Sequence, residues 1–77
     1  MSTVGFMIAC SALIDDYPGQ RDIIEAMTRS EFDHRYPGAA DVSLNWVWCA
    51  ATSYDDEYGE RFEVPAHWGL FIEGQMP

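Results

Sequence analysis

Lysine is absent from this chain of 77 residues, and only four arginines stand against thirteen aspartate and glutamate residues, so the formal net charge is -9 with both histidines neutral. An acidic chain repels nucleic acid and anionic membranes, and its arginines are scattered among acidic residues. The same field accelerates encounter with basic proteins. We therefore expect no direct contact with nucleic acid or membrane, and a basic protein surface as the partner. Two other interpretations of the acidity stay open: solubility alone, and adaptation to high salt.

Cysteine is also scarce. Cys10 and Cys49 each fall in an apolar strand pattern, where a thiol behaves as a small hydrophobe and burial keeps it protonated. A zinc site would have to gather them with His34 and His67 from four distant segments without any short ligand spacing. No glycine-rich phosphate loop occurs, and the acidic residues lack the spacing of the helix-loop-helix calcium motif. The expectation is a non-enzymatic protein with no catalytic residues, metal or cofactor.

Long apolar runs are missing. The run from Val4 to Ile14 is interrupted by Gly5 and Ser11, no positively charged segment precedes it, and no stretch approaches the roughly 20 apolar residues of a membrane span. These features predict a cytoplasmic protein. A chain of this length is expected to form a single domain over residues 1–77, whose small core depends on its eleven aromatic residues.

Two segments alternate with the period of a β-strand. In Thr3 to Ile14 both faces are apolar or small, which is typical of a central strand covered on both sides or of one whose second face meets another subunit. In Asp41 to Thr52 one face is apolar and the other polar, as in a half-buried strand. The apolar face of this second strand consists of Val42, Leu44, Trp46, Trp48 and Ala50. We expect both tryptophans to lie in the core.

The segment between these strands predicts a helix from Pro18 to about Arg29 or Phe32, preceded by an Asx-type cap. Ser30 is a second, weaker cap signal, so the following residues are interpreted as a separate helical turn or a loop. The expected core stripe consists of Ile23, Ile24 and Met27, and the expected solvent-facing residues are Gln20, Arg21, Asp22, Glu25 and Arg29.

Two further strand-like segments, Arg61–Val64 and His67 to Glu73, flank Pro65, which cannot donate to a strand ladder. We expect them to form a hairpin partner of the Asp41 strand that is bent or split at Pro65, with residues 73–77 as a frayed tail. The resulting β-α-β-β order predicts an α+β fold, in which one helix packs on a face of a small three- to four-stranded, mainly antiparallel sheet.

The candidate binding site is the acidic loop after the second strand. It combines four carboxylates, two aromatic rings and a glycine, a composition suited to a turn that displays charge. Carboxylates near the helix start add to it. The expected partner-binding residues are Tyr54, Asp55, Asp56, Glu57, Tyr58, Glu60, Asp15 and Asp16. The rings would anchor the interface and the carboxylates would steer the partner toward it.

In size and composition the chain is similar to the small acidic inhibitors that phages make against restriction and CRISPR complexes. It is also similar to immunity proteins and antitoxins that neutralise basic nuclease toxins. The similarity lies in overall charge, and no specific motif carries it. It implies a nucleic-acid mimic that blocks a basic, nucleic-acid-binding surface of a partner protein. The alternative, suggested by the two apolar faces of the first strand, is a homodimeric structural module without an inhibitory role.

Overall fold

The computed structural model describes all residues from 1 to 77 and contains one α-helix and five strands. Helix α1 spans Gln20–Arg35 and follows a 3-10 turn at Ile14–Asp16. The strands are β1 (Ser2–Cys10), β2 (Ala40–Cys49), β3 (Thr52–Asp55), β4 (Arg61–Val64) and β5 (His67–Met76). The expected α+β class, with one helix and antiparallel strand pairing, is confirmed.

The number and order of the strands differ from the expectation of three or four strands in β-α-β-β order. β5 lies in the centre of a three-stranded sheet, antiparallel to β1 on one side and to β2 on the other. β3 and β4 form a separate two-stranded sheet, because Thr52–Asp55 pairs with Arg61–Val64 rather than prolonging β2. The split at Pro65 is confirmed. The frayed tail is wrong, since Gln75 and Met76 pair with the beginning of β1.

Helix α1 covers one face of the three-stranded sheet. Phe32 is fully buried against this face, where its ring lies 6.3 Å from that of Phe6, and Leu70 and Ile72 of the central strand are equally inaccessible. Gly74 makes the close approach possible, because a Cβ at this position would lie 2.9 Å from Cζ of Phe32. The core is therefore a thin layer between one helix and the middle of the sheet.

The buried stripe of α1 shares only Ile24 with the stripe that the apolar residues predict. Ile23 and Met27 are 54% and 67% exposed, whereas Ile24, Thr28 and Phe32 face the sheet at intervals of four residues. The helix also continues through the weak cap signal at residue 30 and ends at Arg35. Hydrophobic periodicity does not find this stripe, because it counts only apolar residues and the central member of the stripe is a threonine.

The helix begins without the expected Asx cap. Its N-cap is Gly19, which has a left-handed φ of 77° and no side chain to offer the free amides. The acidic residues expected to cap it, Asp15 and Asp16, belong to the preceding 3-10 turn. The turn also buries Ile14, which closes the core at this end.

The second face of the three-stranded sheet has no covering layer. We call it the open face, and it consists of alternate residues of the three strands. These residues are Thr3, Gly5, Met7 and Ala9 of β1, Ser43, Asn45, Val47 and Cys49 of β2, and His67, Gly69, Phe71, Glu73 and Gln75 of β5. Its largest apolar side chains, Met7, Val47 and Phe71, are 46%, 44% and 36% exposed. No helix has the length and hydropathy that a transmembrane segment requires.

Candidate partner-binding surface

Strands β3 and β4, with the loop between them, form a hairpin that we call the acidic arm (residues 52–64). Every side chain of β3 is exposed, and Val64 alone is partly covered in β4. The two strands pair with each other and not with the main sheet. An isolated two-stranded hairpin is only marginally stable in water. Because nearly all side chains of its strands are exposed, the arm adds little to the hydrophobic core.

One face of the acidic arm is aromatic. Tyr54 and Phe62 lie opposite each other in the strand register, and their rings stack with centroids 5.4 Å apart and an interplanar angle of 21°. They stay 57% and 41% exposed, and Tyr58 in the loop is 83% exposed. The hairpin therefore presents three accessible aromatic rings, and rigid aromatic side chains are enriched at the centres of protein interfaces.

The loop at the tip of the arm is held by Asp56. Its Oδ1 accepts hydrogen bonds from the backbone N–H of Tyr58 at 2.9 Å and of Glu60 at 2.8 Å. Gly59, with a φ of 80°, supplies the left-handed residue that lets the chain reverse. Asp56 thus organises the loop, whereas the carboxylates of Asp55, Glu57 and Glu60 make no ion pair or hydrogen bond within the chain.

The acidic arm carries an unequal share of the charge. Three of the thirteen carboxylates form ion pairs with arginine, those of Asp15, Glu31 and Asp33, which leaves ten without a cationic partner. Five of these ten lie in the arm, which has one arginine, and this Arg61 donates a hydrogen bond to the hydroxyl of Ser53 rather than to a carboxylate. The excess negative charge is therefore concentrated on the least buried element of the fold.

The structure does not bring all the expected binding residues together. Tyr54, Asp55, Glu57, Tyr58 and Glu60 are exposed on the arm, as expected of a binding surface. Asp15 and Asp16 follow β1 at the end of the main sheet from which the arm emerges, because Cys10 lies opposite Trp68. The four-residue strands of the arm place the tip about 13 Å beyond that base. Asp15 and Asp16 therefore lie at the end of the main sheet, near the base of the arm, and do not form one cluster with the loop carboxylates at its tip.

Asp15 is moreover committed to an internal contact. It accepts two hydrogen bonds from Arg21, from Nε at 2.6 Å and from Nη2 at 2.9 Å. These hydrogen bonds lower the pKa of the Asp15 carboxyl, with the positive charge of Arg21 acting in the same direction and partial desolvation opposing it. The Asp15 carboxylate is therefore ion-paired with Arg21, whereas that of Asp16 forms no ion pair within the chain.

A cluster of three tryptophans, two of which contact Arg21, is not predicted by the sequence. The Arg21 guanidinium lies over the rings of Trp46 and Trp68, and the Trp46 indole donates a 2.8 Å hydrogen bond to Glu25. Trp48 packs edge-on against Trp68 at 5.1 Å but is 48% exposed, so it does not lie in the core as expected. The signal available in the sequence was an arginine and a glutamate four residues apart, on the helix face that turned out to meet the sheet.

A cleft of ≈ 720 Å³ separates the flank of α1 from β1, with Ile8, Ile24 and Met27 among its apolar walls. Cys10 lies in it, and burial raises the pKa of this thiol, an effect that the charge of Arg21 partly offsets. The thiol is protonated at neutral pH and is a weak nucleophile. No three histidine, cysteine or carboxylate side chains converge in a way that would hold a metal ion.

In comparisons with protein-family models, curated proteins and solved structures, none matches this chain.

Proposed function

We propose that the protein is a non-enzymatic binding protein that uses the acidic arm to occupy and block a basic surface of a partner protein. The observation that supports this most is the arm itself, a hairpin whose strands pair only with each other while exposing Tyr54, Tyr58 and Phe62. Such a hairpin adds little to the core. Its value therefore lies in what it presents to another molecule.

The arm combines the two properties that recognition of a basic surface requires. Its unpaired carboxylates, led by Asp55, Glu57 and Glu60, raise the rate of encounter with a positive surface, and salt screens this contribution. Its exposed rings become buried against the partner on binding, and they stack on arginine side chains of the basic surface. The fitting partner is a protein whose basic surface otherwise binds nucleic acid, because carboxylates placed along such a groove substitute for phosphates.

The experiment compares three baits in quantitative capture from a cell lysate at low and high salt. The first is the unaltered protein, and the second carries Asp55→Asn, Glu57→Gln and Glu60→Gln. The third carries Asp22→Asn, Glu31→Gln and Asp33→Asn on the exposed side of α1, and therefore has the same net charge as the second. The proposal expects a basic protein that the first and third baits capture at low salt and the second does not.

Equal loss of capture in the second and third baits would overturn the assignment of the arm, because binding would then follow net charge alone. A further bait with Tyr54→Ser and Tyr58→Ser tests the aromatic contribution at unchanged charge. We expect this bait to bind at a similar rate and to release the captured protein faster, since anchoring side chains chiefly determine dissociation.

A further inference from the structure

Two sulfur atoms meet over Gly69 on the open face. A Cβ at Gly69 would lie 3.1 Å from Sδ of Met7 on β1 and 3.4 Å from Sγ of Cys49 on β2. Neither residue is the direct neighbour of Gly69, because Met7 lies opposite Phe71 and Cys49 lies opposite His67. Both side chains therefore reach diagonally over the glycine, and the two edge strands direct a thioether and a thiol toward the same point.

His67 lies beside this point as a third donor. It precedes Gly69 by two residues on β5, so both lie on the open face, and it faces Cys49 across the strand pair at a Cβ separation of about 4.5–5.5 Å. Its Nδ1 lies 3.0 Å from the carbonyl oxygen of Pro65. Because a carbonyl oxygen only accepts hydrogen bonds, the neutral ring carries its hydrogen on Nδ1 and keeps a lone pair on Nε2. Histidines that bind metals are commonly oriented in this way.

The fold separates these three side chains from the other candidate ligands. Cys10 lies in the cleft beside α1, on the opposite face of the sheet, and His34 is exposed near the end of α1. A zinc site that combines both cysteines with both histidines therefore cannot form in this fold. The set that does come together contains a methionine, a residue type that is not among the usual ligands of zinc.

A thiolate, a thioether and an imidazole form a ligand set that favours monovalent copper. Soft sulfur ligands select Cu(I) and imidazole also binds copper, whereas magnesium and calcium prefer oxygen ligands. Bonds from a thiolate to such metals are about 2.3 Å long. Methionine is unbranched with three rotatable bonds, so Met7 can bring its sulfur to this distance without a change of the backbone. The net charge of -9 raises the local concentration of cations.

We propose that Met7, Cys49 and His67 form a three-coordinate site for one Cu(I) ion. The ion replaces the thiol hydrogen of Cys49, which leaves as a proton, and copper keeps its oxidation state. Cys49 ends β2 and His67 begins β5, on either side of the acidic arm, so the bound ion joins the two strands at the base of the arm. The site uses none of the carboxylates of the arm and is independent of a basic partner.

An anaerobic titration with Cu(I), delivered as its bicinchoninate complex, tests the site. The unaltered protein should withdraw one copper ion per chain. Cys49→Ser should lose binding, and Met7→Leu and His67→Gln should each weaken it at least about tenfold, since even residues behind the ligands have effects of this size. Matched controls exchange the same residue types elsewhere in the chain and should bind like the unaltered protein: Cys10→Ser, Met27→Leu and His34→Gln.

X-ray absorption at the copper edge tests the ligand set in the unaltered protein, so the result does not depend on how well a variant folds. We expect two sulfur neighbours and one nitrogen neighbour, and a single sulfur neighbour in Met7→Leu that circular dichroism shows to be folded. A copper ion with one sulfur or only oxygen neighbours in the unaltered protein would overturn the proposal. Binding that survives Cys49→Ser, that is lost in Cys10→Ser, or that exceeds one weakly held ion per chain would overturn it as well, because the copper would then be adventitious or held elsewhere.

Discussion

The guanidinium of Arg21 lies over the indole rings of both Trp46 and Trp68, with its Cζ 4.7 Å and 4.5 Å from the two ring centroids. A planar cation stacks on both rings, whereas an ammonium group does not reproduce this contact. This contact fixes the start of α1 on the sheet, at the end from which the acidic arm emerges.

Replacing Arg21 should therefore lower stability in two steps. Arg21→Lys keeps the charge but loses the stacking and the paired hydrogen bonds to Asp15, and Arg21→Met loses the charge as well. The urea midpoint should therefore fall in the order unaltered protein, Lys variant, Met variant. Tryptophan fluorescence reports the change directly. Arg29→Met is the control, because Arg29 forms only a surface ion pair with Asp33, and it should alter stability by no more than about 0.5 kcal/mol. Equal effects at both arginines would contradict the stacking.

The Asp15 carboxylate should make stability depend on pH at acid values. Because its pKa is lower in the folded state, it contributes stability that is fully present above the unfolded value of about 3.9 and is lost as pH falls through the folded pKa. Asp15→Asn should thus be less stable than the unaltered protein at pH 7, and the two should converge as the pH falls below the folded pKa of Asp15. Urea unfolding at a series of pH values measures this convergence. Asp16→Asn, which removes no ion pair, should run parallel to the unaltered protein.

The core should depend heavily on Phe32. Its ring is fully buried against Phe6 and Gly74, so Phe32→Ala leaves a cavity and should cost about 3–5 kcal/mol of the free energy of unfolding. His34, two residues along the helix, is exposed, so His34→Ala should change the free energy of unfolding by no more than about 0.5 kcal/mol. Urea denaturation measures both variants. A loss below about 1 kcal/mol for Phe32→Ala would show that the thin core between α1 and the sheet is not the main source of stability.

The carboxylate of Asp56 should stabilise the loop at the tip of the arm, and that of its neighbour Glu57 should not. Asp56→Ala removes the acceptor for two loop amides, so hydrogen exchange at Tyr58 and Glu60 should accelerate while β5 stays protected. Glu57→Ala removes the same charge without touching those amides and should leave exchange unchanged. The reverse pattern would contradict the structural role of Asp56 in the loop.

The parts of the fold that follow strict periodicity were predictable from the sequence. The predicted break between two strands falls at Pro65, and within the second of them the buried Leu70 and Ile72 alternate with the exposed Phe71 as a strand period requires. The buried stripe of α1 was not predictable in this way. Arg21 and Glu25 are polar, yet their side chains lie against tryptophans, and no periodicity rule includes such contacts.

Strand order was beyond the sequence for a different reason. β1 and β2 are joined through α1 and are edge strands, and the last strand enters between them through long-range pairing that leaves no local signal. The candidate site was predicted in its main part, since Tyr54 and Tyr58 flank the acidic residues in the sequence itself. Phe62 was missed because it joins Tyr54 only through the register of the β3–β4 pair.

The central claim, that the acidic arm receives a basic partner, is tested most directly by an NMR titration of the labelled protein with a nona-arginine peptide at low and moderate salt. We expect the largest shift changes at the backbone amides of residues 54–60 and at the rings of Tyr54, Tyr58 and Phe62, with weaker binding as salt increases. Changes spread evenly over all exposed carboxylates, or strongest along α1, would contradict the account.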